Sequence, residues 1–272
     1  MERKTEKLLG RLKNYGSLVV ALSGGVDSST LTKAAGIALG DKAVAVTARS
    51  EFLASEELAD ARDAAKAAGV RHFVVDARDL DDPNIVKNDR ERCYYCKRGR
   101  FQKLCDWAKE NGFAFVADGS NLDDAGDFRP GARAIAELAP TVVSPFVECG
   151  WSKADIRAQA RAWGLSVAEK PSAACLASRV EYGVPLTAER LAQVETAERI
   201  LRPFVEGQLR VRHHGALARV EVEPSAIENI VEHRSEIAEK LKSVGFLYVT
   251  LDLVGYRTGS MNEMLEKSPG KD

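Results

Sequence analysis

The sequence lacks an excess of charge of either sign, because 39 lysines and arginines balance 40 aspartates and glutamates. The net charge of −1 offers no global basic field of the kind that drives binding to nucleic acid. No apolar run approaches the length of a membrane span, and the charged start M-E-R-K-T-E-K lacks the apolar core of a signal peptide. We therefore expect neither a membrane nor a nucleic acid as a partner.

Cysteine is scarce and odd in number, at five in 272 residues. Without a secretion signal, an odd set of cysteines indicates reduced thiols, so we expect a cytoplasmic protein. The sequence also lacks the G-x-x-x-x-G-K-[ST] motif of P-loop NTPases and the G-x-G-x-x-G motif of dinucleotide folds. Any nucleotide site in this chain must therefore be built on a different kind of loop.

The most informative stretch that is present is L-V-V-A-L-S-G-G-V-D-S-S-T, from Leu18 to Thr30. Apolar residues, a glycine-bearing polar turn and a helix-compatible run predict a strand, a phosphate-binding loop and a helix N-terminus. Glycine permits close backbone approach, serines supply donors, and the helix directs free N–H groups to the same point. We expect a diphosphate or triphosphate to be bound by Ser23, Gly24, Gly25, Asp27, Ser28 and Ser29.

Strand and helix patterns alternate through the first 168 residues, with strands expected at 17–22, 43–47, 72–75, 113–117 and 141–144. This alternation predicts a doubly wound parallel α/β sheet, which binds ligands beyond the carboxyl ends of its strands. Farther along, a helix, a hairpin about His214-Gly215, a single helix and a strand predict a smaller α+β domain. We expect domains at 1–168 and 187–272, joined by a linker loop at 169–186.

A second polar loop, A-D-G-S-N-L-D-D-A-G-D-F-R-P-G, follows the fourth predicted strand. Its aspartates repel one another unless a cation or N–H donors are present, so it is either a solvated acidic loop or part of a nucleotide and Mg²⁺ site. Its sequence is similar to the corresponding loops of NAD and GMP synthetases. We expect nucleotide contacts from Asp118, Gly119 and Arg129.

Three of the cysteines form a candidate chemical site. Cys93 and Cys96 stand at the start of a predicted helix, at a spacing that suits a metal, a cluster or a redox pair. Cys175 lies in the predicted linker. Three thiolates are one short of a structural zinc site or a fully ligated 4Fe–4S cluster, and an open iron can bind hydrosulfide or a substrate atom. Cys105 and Cys149 are expected to be small buried side chains.

Charged residues of the small domain are further candidates. Arg210 and Arg212 alternate on one strand, so they either clamp a phosphate or carboxylate or lie on a solvated face. Glu198 falls on the apolar stripe of its predicted helix. A buried acid there has either a catalytic role or an ion-pair partner such as Arg202 or Arg210.

The motifs S-G-G-V-D-S-S, R-C-Y-Y-C-K, K-P-S-A-A-C-L-A-S-R, R-V-R-H-H and V-T-L-D-L-V-G-Y-R-T-G-S-M-N-E together resemble the LarE family of ATP-dependent sulfur transferases, over almost the whole chain. The first motif is similar to the pyrophosphate loop of the N-type (PP-loop, HUP-like) ATP pyrophosphatases. The resemblance implies that ATP and Mg²⁺ adenylate a carboxylate of pyridinium-3,5-biscarboxylic acid mononucleotide. The carboxylate then becomes a thiocarboxylate, in the biosynthesis of the nickel-pincer nucleotide cofactor of lactate racemase.

The resemblance also implies roles for individual residues and a homo-oligomeric state. In one family variant a cysteine matching Cys175 gives up its own sulfur; in the other, cysteines matching Cys93, Cys96 and Cys175 hold a 4Fe–4S cluster that carries the transferred sulfur. All three are present, which predicts the cluster variant, with Cys175 and Glu198 catalytic. Contacts to substrate or nucleotide are expected from Ser178, Arg179, Arg210 and Arg212.

Other functions share part of this pattern. An iron–sulfur tRNA thiolase has the same loop and a C-x-x-C pair, but the neutral net charge and the lack of a basic tract favour a small nucleotide substrate. An ammonia-using synthetase such as NAD synthetase has no need of the three cysteines. A nucleotide-binding sensor with zinc-bound thiols would show no substrate-dependent release of pyrophosphate.

Overall fold

The computed structural model describes residues 1–126, 130–170, 174–257 and 259–262. The helices in these ranges are α1 (Glu2–Asn14), α2 (Val26–Leu39), α3 (Ser55–Ala68), α4 (Pro83–Val86), α5 (Arg92–Glu110), α6 (Pro130–Glu137), α7 (Pro145–Cys149), α8 (Lys153–Ala162), α9 (Ala188–Leu201), α10 (Ile227–Glu232) and α11 (Arg234–Ser243). The strands are β1 (Leu18–Ala21), β2 (Ala43–Arg49), β3 (Arg71–Asp76), β4 (Val116–Ala117), β5 (Val142–Val143), β6 (Leu209–His214), β7 (Leu217–Val222) and β8 (Tyr248–Leu251). Across the described ranges, every helix is too short or too polar to cross a bilayer.

Five strands form a parallel sheet in the order β3-β2-β1-β4-β5. Successive residues of β1 face opposite sides, as the two-residue period of a strand requires. Leu18 and Val20 pack in one core with α1, α2 and α8, while Val19 packs in another with Phe101 and Leu104 of α5. Helices therefore cover both faces, which confirms the doubly wound fold. The strand order reverses beside β1, and such sheets bind ligands at this point.

The second sheet is mixed and has the order β6-β7-β8. β6 and β7 form the predicted antiparallel hairpin, whereas β8 pairs with β7 in parallel. The prediction of one helix between the hairpin and β8 was wrong, because helical structure is interrupted at His233. The backbone of His233 leaves the helical region, and its ring Nδ1 lies 2.9 Å from the Asn229 carbonyl oxygen.

The chain divides into two compact units, and it passes from one unit to the other three times. The first contains Met1–Asp79 and the chain from Cys93 to residue 170; the second contains Leu80–Arg92 and the described chain from Ala174 onward. The structure thus differs from a linker at 169–186. Arg157 donates to the carbonyls of Ala168 and Lys170, which fixes the start of that loop to the first unit. The contribution of Leu80–Arg92 to the second unit has no sequence signal.

Candidate functional site

The turn after β1 brings backbone groups close together. Gly24 has φ +76°, and a Cβ at this position would lie 2.7 Å from the Glu57 carbonyl oxygen, so the turn requires glycine. Gly25 caps α2, which begins directly after it. The Ser28 hydroxyl donates to the Gly25 carbonyl and accepts from the Ser23 amide, each at 3.2 Å. The N-terminus of α2 therefore lies against the Ser-Gly-Gly turn, as predicted.

Two buried polar atoms at this N-terminus have no hydrogen-bond partner among the described residues, Asp27 Oδ1 and Ser29 Oγ. The second carboxylate oxygen of Asp27 accepts a hydrogen bond from Lys153 Nζ at 2.5 Å. A buried oxygen without a partner costs free energy, so a ligand that pairs with it binds favourably. Together with the free N–H groups of α2, these atoms fit a pyrophosphate and its divalent cation.

Lys153 is a site residue that sequence reasoning missed. It is the first residue of α8 and contacts Asp27, which lies 126 positions earlier in the chain. Its backbone N–H also donates to Asp123 Oδ2 at 2.7 Å. A lysine that reaches the loop only through a distant contact leaves no local pattern, so spacing alone does not reveal it.

Asp118 and Gly119 lie at the end of β4, next to the phosphate-binding turn. A Cβ on Gly119 would lie 3.3 Å from both Asp27 Cβ and the Ser28 nitrogen. Asp118 is buried and accepts hydrogen bonds from the hydroxyls of Ser120 at 2.5 Å and Ser144 at 2.6 Å. The acidic loop is thus stabilised by hydroxyl and N–H donors. Arg129, the other residue predicted here, lies outside the described residues.

A cavity of about 520 Å³ joins these groups in the first unit. Its polar wall includes Ser23, Gly25, Asp27, Ser28, Asp118 and Gly119. Its apolar wall is formed by Val46, Ala48, Leu53, Phe101 and Leu104. Cys93, Lys97 and Arg100 of α5 also line it. The volume of the cavity and its combination of polar and apolar walls suit a small nucleotide. One cysteine of the C-x-x-C pair lines the same cavity.

Cys93 and Cys96 stand one turn apart on α5, so both lie on one face of the helix. Cys93 is exposed and Cys96 is half-buried, with its Sγ 3.8 Å from Asp79 Oδ2. Arg100 donates to the same Asp79 oxygen through Nε at 2.8 Å. The described part of either unit contains no group of three or more His, Cys, Asp or Glu side chains arranged to hold a metal ion.

The two remaining cysteines, Cys105 and Cys149, lie outside the C-x-x-C and Cys175 segments. Cys149 is buried and Cys105 is half-buried. Burial raises the pKa of both thiols, with smaller increases from Asp106 at Cys105 and from Glu148 at Cys149. A raised pKa keeps a thiol protonated and weakly nucleophilic. The expected burial is found for Cys149, whereas Cys105 is only half-buried.

Cys175 begins a short turn of the second unit, since a 3-10 helix, Leu176–Arg179, follows it directly. The Cys175 carbonyl accepts from the Ser178 amide at 2.9 Å and from the Ser178 hydroxyl at 2.8 Å. The Arg179 guanidinium donates to the same carbonyl at 3.1 Å. The structure thus brings Cys175 together with both polar residues predicted beside it.

Glu198 of α9 faces this turn. Arg179 donates to its two carboxylate oxygens at 2.9 and 3.0 Å, and the Val211 N–H donates to Oε1 at 3.0 Å. Among the contacts of the described residues, the ion-pair partner of Glu198 is Arg179 rather than Arg202 or Arg210, because the 3-10 turn places Arg179 against α9. The paired guanidinium and the N–H therefore orient the Glu198 carboxylate.

Arg210 and Arg212 are both buried, with 7% and 5% of their surfaces exposed, which rules out a solvated outer face. Arg212 donates to Glu221 Oε2 at 2.8–2.9 Å and to the Ser178 carbonyl at 3.2 Å. The Arg210 guanidinium lies 5.3 Å from the ring centre of Tyr256. Burial lowers the pKa of Arg210, the Arg179 charge lowers it further, and Glu198 opposes both effects. A bound anion would offset the cost of this buried cation.

His213 of β6 predicts a pH dependence of stability. It packs against Phe246, and burial lowers its pKa from 6.5, with further decreases from Arg190 and His214. The unfolded chain therefore takes up a proton at a higher pH than the folded chain. Stability is complete above the unfolded pKa and falls as the pH drops from there toward the folded pKa.

Urea unfolding between about pH 7 and pH 5 measures this effect. We expect the free energy of unfolding of the wild type to decrease over this range. In His213→Gln we expect a smaller decrease, and the difference between the two slopes should be at most about 1.4 kcal/mol per pH unit. His233→Gln, on the same unit, is the matched control. An identical pH dependence of wild type and His213→Gln would contradict the assignment.

Comparison with known proteins identifies relatives along the whole chain. A family model described as asparagine synthase matches residues 9–88, which include the phosphate-binding turn. An uncharacterised protein of Synechocystis is 39% identical over 98% of this chain and 100% of its own length. The pyridinium-3,5-bisthiocarboxylic acid mononucleotide synthase of Lactiplantibacillus plantarum is 36% identical over 97% of this chain and 96% of its own length. The tRNA-specific 2-thiouridylase MnmA of Caulobacter vibrioides is 25% identical over 73% of this chain and 61% of its own length.

These similarities agree with the site. The match to the asparagine synthase model includes the phosphate-binding turn, and the full-length relatives extend over the C-x-x-C helix and the Cys175 turn. The thiouridylase covers less of the chain at lower identity. The chain belongs to the LarE family of ATP-dependent sulfur transferases, within the PP-loop ATP pyrophosphatases.

Proposed function

We propose that this enzyme adenylates a carboxylate of pyridinium-3,5-biscarboxylic acid mononucleotide and converts it to a thiocarboxylate, for the nickel-pincer nucleotide cofactor of lactate racemase. The observation that carries the proposal is that Cys93 lines the same cavity as Ser23, Gly25 and Asp27. Coupling adenylation to sulfur transfer requires sulfur near the nucleotide, because reacting groups must be held together. The name of the Lactiplantibacillus relative supports this substrate class.

Activation of the carboxylate is assigned to the first unit. A carboxylate is a poor electrophile, so ATP converts it to an acyl-adenylate and pyrophosphate leaves. The pyrophosphate is assigned to the turn at the start of α2, where N–H groups and the Ser29 hydroxyl meet developing negative charge. Asp27 would hold Mg²⁺, which neutralises that charge, and Lys153 adds a second cation. Asp118 and Gly119 form the neighbouring wall of the nucleotide site.

Binding and attack are assigned to the second unit. Arg210, buried beside Tyr256, would bind the phosphate or second carboxylate of the substrate, with Arg212 and Ser178 next to it. Glu198, oriented by its contact with Arg179, would accept a proton during sulfur transfer. Sulfur attacks the acyl carbon, and AMP departs.

The sulfur source is assigned to Cys93, Cys96 and Cys175 as ligands of a 4Fe–4S cluster. The donor set fits, because thiolates are the usual ligands of such clusters and Cys93 and Cys96 share one face of α5. When bound, a cluster with three protein ligands would supply an open iron that carries an extra sulfur. The alternative is a single turnover in which Cys175 gives up its own sulfur and becomes dehydroalanine.

The proposed function is tested by incubating the anaerobically reconstituted protein with the pyridinium mononucleotide, ATP, Mg²⁺ and sulfide. We expect AMP, pyrophosphate and a product whose mass shows one oxygen replaced by sulfur. A parallel reaction with total tRNA distinguishes a tRNA thiolase. Thiolated tRNA without thiocarboxylate would overturn the proposal, as would ATP binding without substrate-dependent release of pyrophosphate.

Asp27→Asn is expected to lower the rate of substrate-dependent pyrophosphate release by about 100-fold, because loss of one preorganised group that stabilises the transition state typically lowers a rate by about this factor. Ser29→Ala should lower it by about tenfold, since it removes one neutral donor. Asp63→Asn, on the exposed face of α3, is the matched control and should retain the wild-type rate. Asp27→Asn with a normal rate would show that the loop does not bind the leaving group.

We further propose that the enzyme is a cytoplasmic homo-oligomer that acts without a nucleic-acid or membrane partner. The near balance of 39 basic and 40 acidic residues supports the absence of a nucleic-acid partner. Light scattering tests the oligomeric state. A filter-binding assay with total tRNA tests the exclusion of nucleic acid.

A further inference from the structure

Asn88 joins two distant segments of the second unit. It is fully buried and has φ +56°, a conformation that asparagine tolerates better than most residues. Its side-chain amide donates to the carbonyls of Glu181 and Val184 at 2.8 and 2.9 Å. Its own carbonyl accepts from the Gly183 N–H at 2.9 Å. The segment Leu80–Arg92 is therefore fixed to the chain that follows the Cys175 turn.

Arg92 extends this attachment to the Cys175 turn itself. Its Nη1 donates to Asn88 Oδ1 at 2.5 Å and to the Ala177 carbonyl at 2.9 Å. The guanidinium carbon lies 5.1 Å from the ring centre of Tyr182, and the residue is only 4% exposed. A buried guanidinium is costly to desolvate, and the roles proposed above do not use this one.

Three arginines hold carbonyls of the same short turn. Arg179 donates to the Cys175 carbonyl, Arg92 to the Ala177 carbonyl and Arg212 to the Ser178 carbonyl. Hydrogen bonds with a charged donor are about twice as strong as neutral ones. The backbone next to Cys175 is therefore held by Arg179 within the turn itself and by two other parts of the second unit, the segment Leu80–Arg92 and β6.

Arg92 is also the residue directly before Cys93 in the chain. We propose that Asn88 and Arg92 form a clasp, a pair of positioning residues that fixes the Cys175 turn to the residue that precedes the C-x-x-C segment in the chain. The proposal deepens the proposed function, because it rests on Cys93, Cys96 and Cys175 acting together. Ligands on separate segments lose less conformational entropy on binding when the protein orders them beforehand.

The clasp is tested with Arg92→Ala, Arg92→Lys and Asn88→Gly. Glycine at position 88 keeps the positive φ and removes only the side-chain hydrogen bonds. Lysine at position 92 retains a cation that can donate to both oxygens. Arg161→Ala is the matched control, because Arg161 is exposed and pairs with Glu169 on the surface. Hydrogen exchange is measured on the iron-free full chain, and loss of iron to a chelator on the reconstituted protein.

In Arg92→Ala and Asn88→Gly, amides of residues 176–184 should exchange at least about tenfold faster, while those of β1 stay unchanged. Iron should leave for the chelator at least about tenfold faster, as when outer-shell partners of ligands are removed. Arg92→Lys should restore both toward wild type, which a purely steric role of the side chain would not predict.

Unchanged exchange at 176–184 in Arg92→Ala and Asn88→Gly would overturn the clasp. Faster exchange with unchanged iron loss would also overturn it, because the turn would then be ordered without serving the cysteines. If the wild type takes up no iron, the cluster assignment fails and the clasp as a device for the three-cysteine site fails with it. Faster exchange in both variants would then mark a structural contact only, so the two failures are distinguishable.

Discussion

Cys175→Ser is expected to abolish sulfur transfer and leave adenylation intact. The hydroxyl preserves the size of the side chain but supplies neither a transferable sulfur nor a thiolate ligand. Thiocarboxylate formation should fall by at least about 10³-fold, the scale of losing a nucleophile, while substrate-dependent ATP–pyrophosphate exchange stays within about threefold. The hydrogen bonds of the pyrophosphate turn join Ser23, Gly25 and Ser28, and Cys175 takes part in none of them, so we expect the substitution to leave the turn intact.

The matched control is Cys105→Ser, since burial raises the pKa of the Cys105 thiol and no role is assigned to it. It should retain both activities. Iron analysis then separates the two sulfur sources: about four irons per chain in the wild type and none in Cys175→Ser would support the cluster. A colourless wild type that loses the mass of hydrogen sulfide at Cys175 during turnover would support the sacrificial variant. Normal product formation by Cys175→Ser would contradict both.

Glu221→Gln is expected to destabilise the second unit by about 3–5 kcal/mol, the cost of removing one partner from a buried ion pair. Glu221 is fully buried and lies 2.8 Å from Arg212 and 2.9 Å from Arg219, and the Ser260 hydroxyl donates to it at 3.0 Å. Glutamine keeps the shape but removes the charge, so both guanidinium groups lose their shared counter-ion. Urea unfolding followed by hydrogen exchange of β6 and β7 measures the loss.

Glu239→Gln, on the exposed face of α11, is the matched control and should change stability little. A double-mutant cycle with Arg212→Met isolates the pair, and its coupling energy should exceed about 1 kcal/mol because the residues are in direct contact. Independent effects of the two substitutions would show that Arg212 does not depend on Glu221. The same variant should weaken substrate binding, since Glu221 orients Arg212 beside Ser178.

The features that sequence predicted correctly depend on nearby residues. The Ser-Gly-Gly turn was recognisable because Gly24 supplies a left-handed backbone and Gly25 a cap, both within a few positions of β1 and α2. The hairpin was recognisable because apolar residues alternate on both sides of His214-Gly215. The spacing of Cys93 and Cys96 is visible in the sequence itself.

The features that sequence could not predict depend on distant contacts. The alternation of side chains along β6 does not show whether Arg212 is buried or exposed. Its burial is favourable because Glu221 and Ser260, which are distant in the sequence, pair with it. The partner of Glu198 is Arg179, which reaches it through the 3-10 turn after Cys175. The Lys153 contact with Asp27 is of the same kind. Charge alone indicates that a partner is needed but not which residue supplies it.

The early position of Asn88 in the chain has a consequence for protein synthesis. Its side-chain partners Glu181 and Val184 lie 93 and 96 residues farther along. Proteins emerge from the ribosome N-terminus first, and contacts of long sequence separation form late because loop closure costs entropy. The Asn88 segment therefore emerges unpaired, and β4, β5 and α8 follow before its partners exist. We therefore expect every strand of the parallel sheet to be synthesised before the second unit can close around this segment.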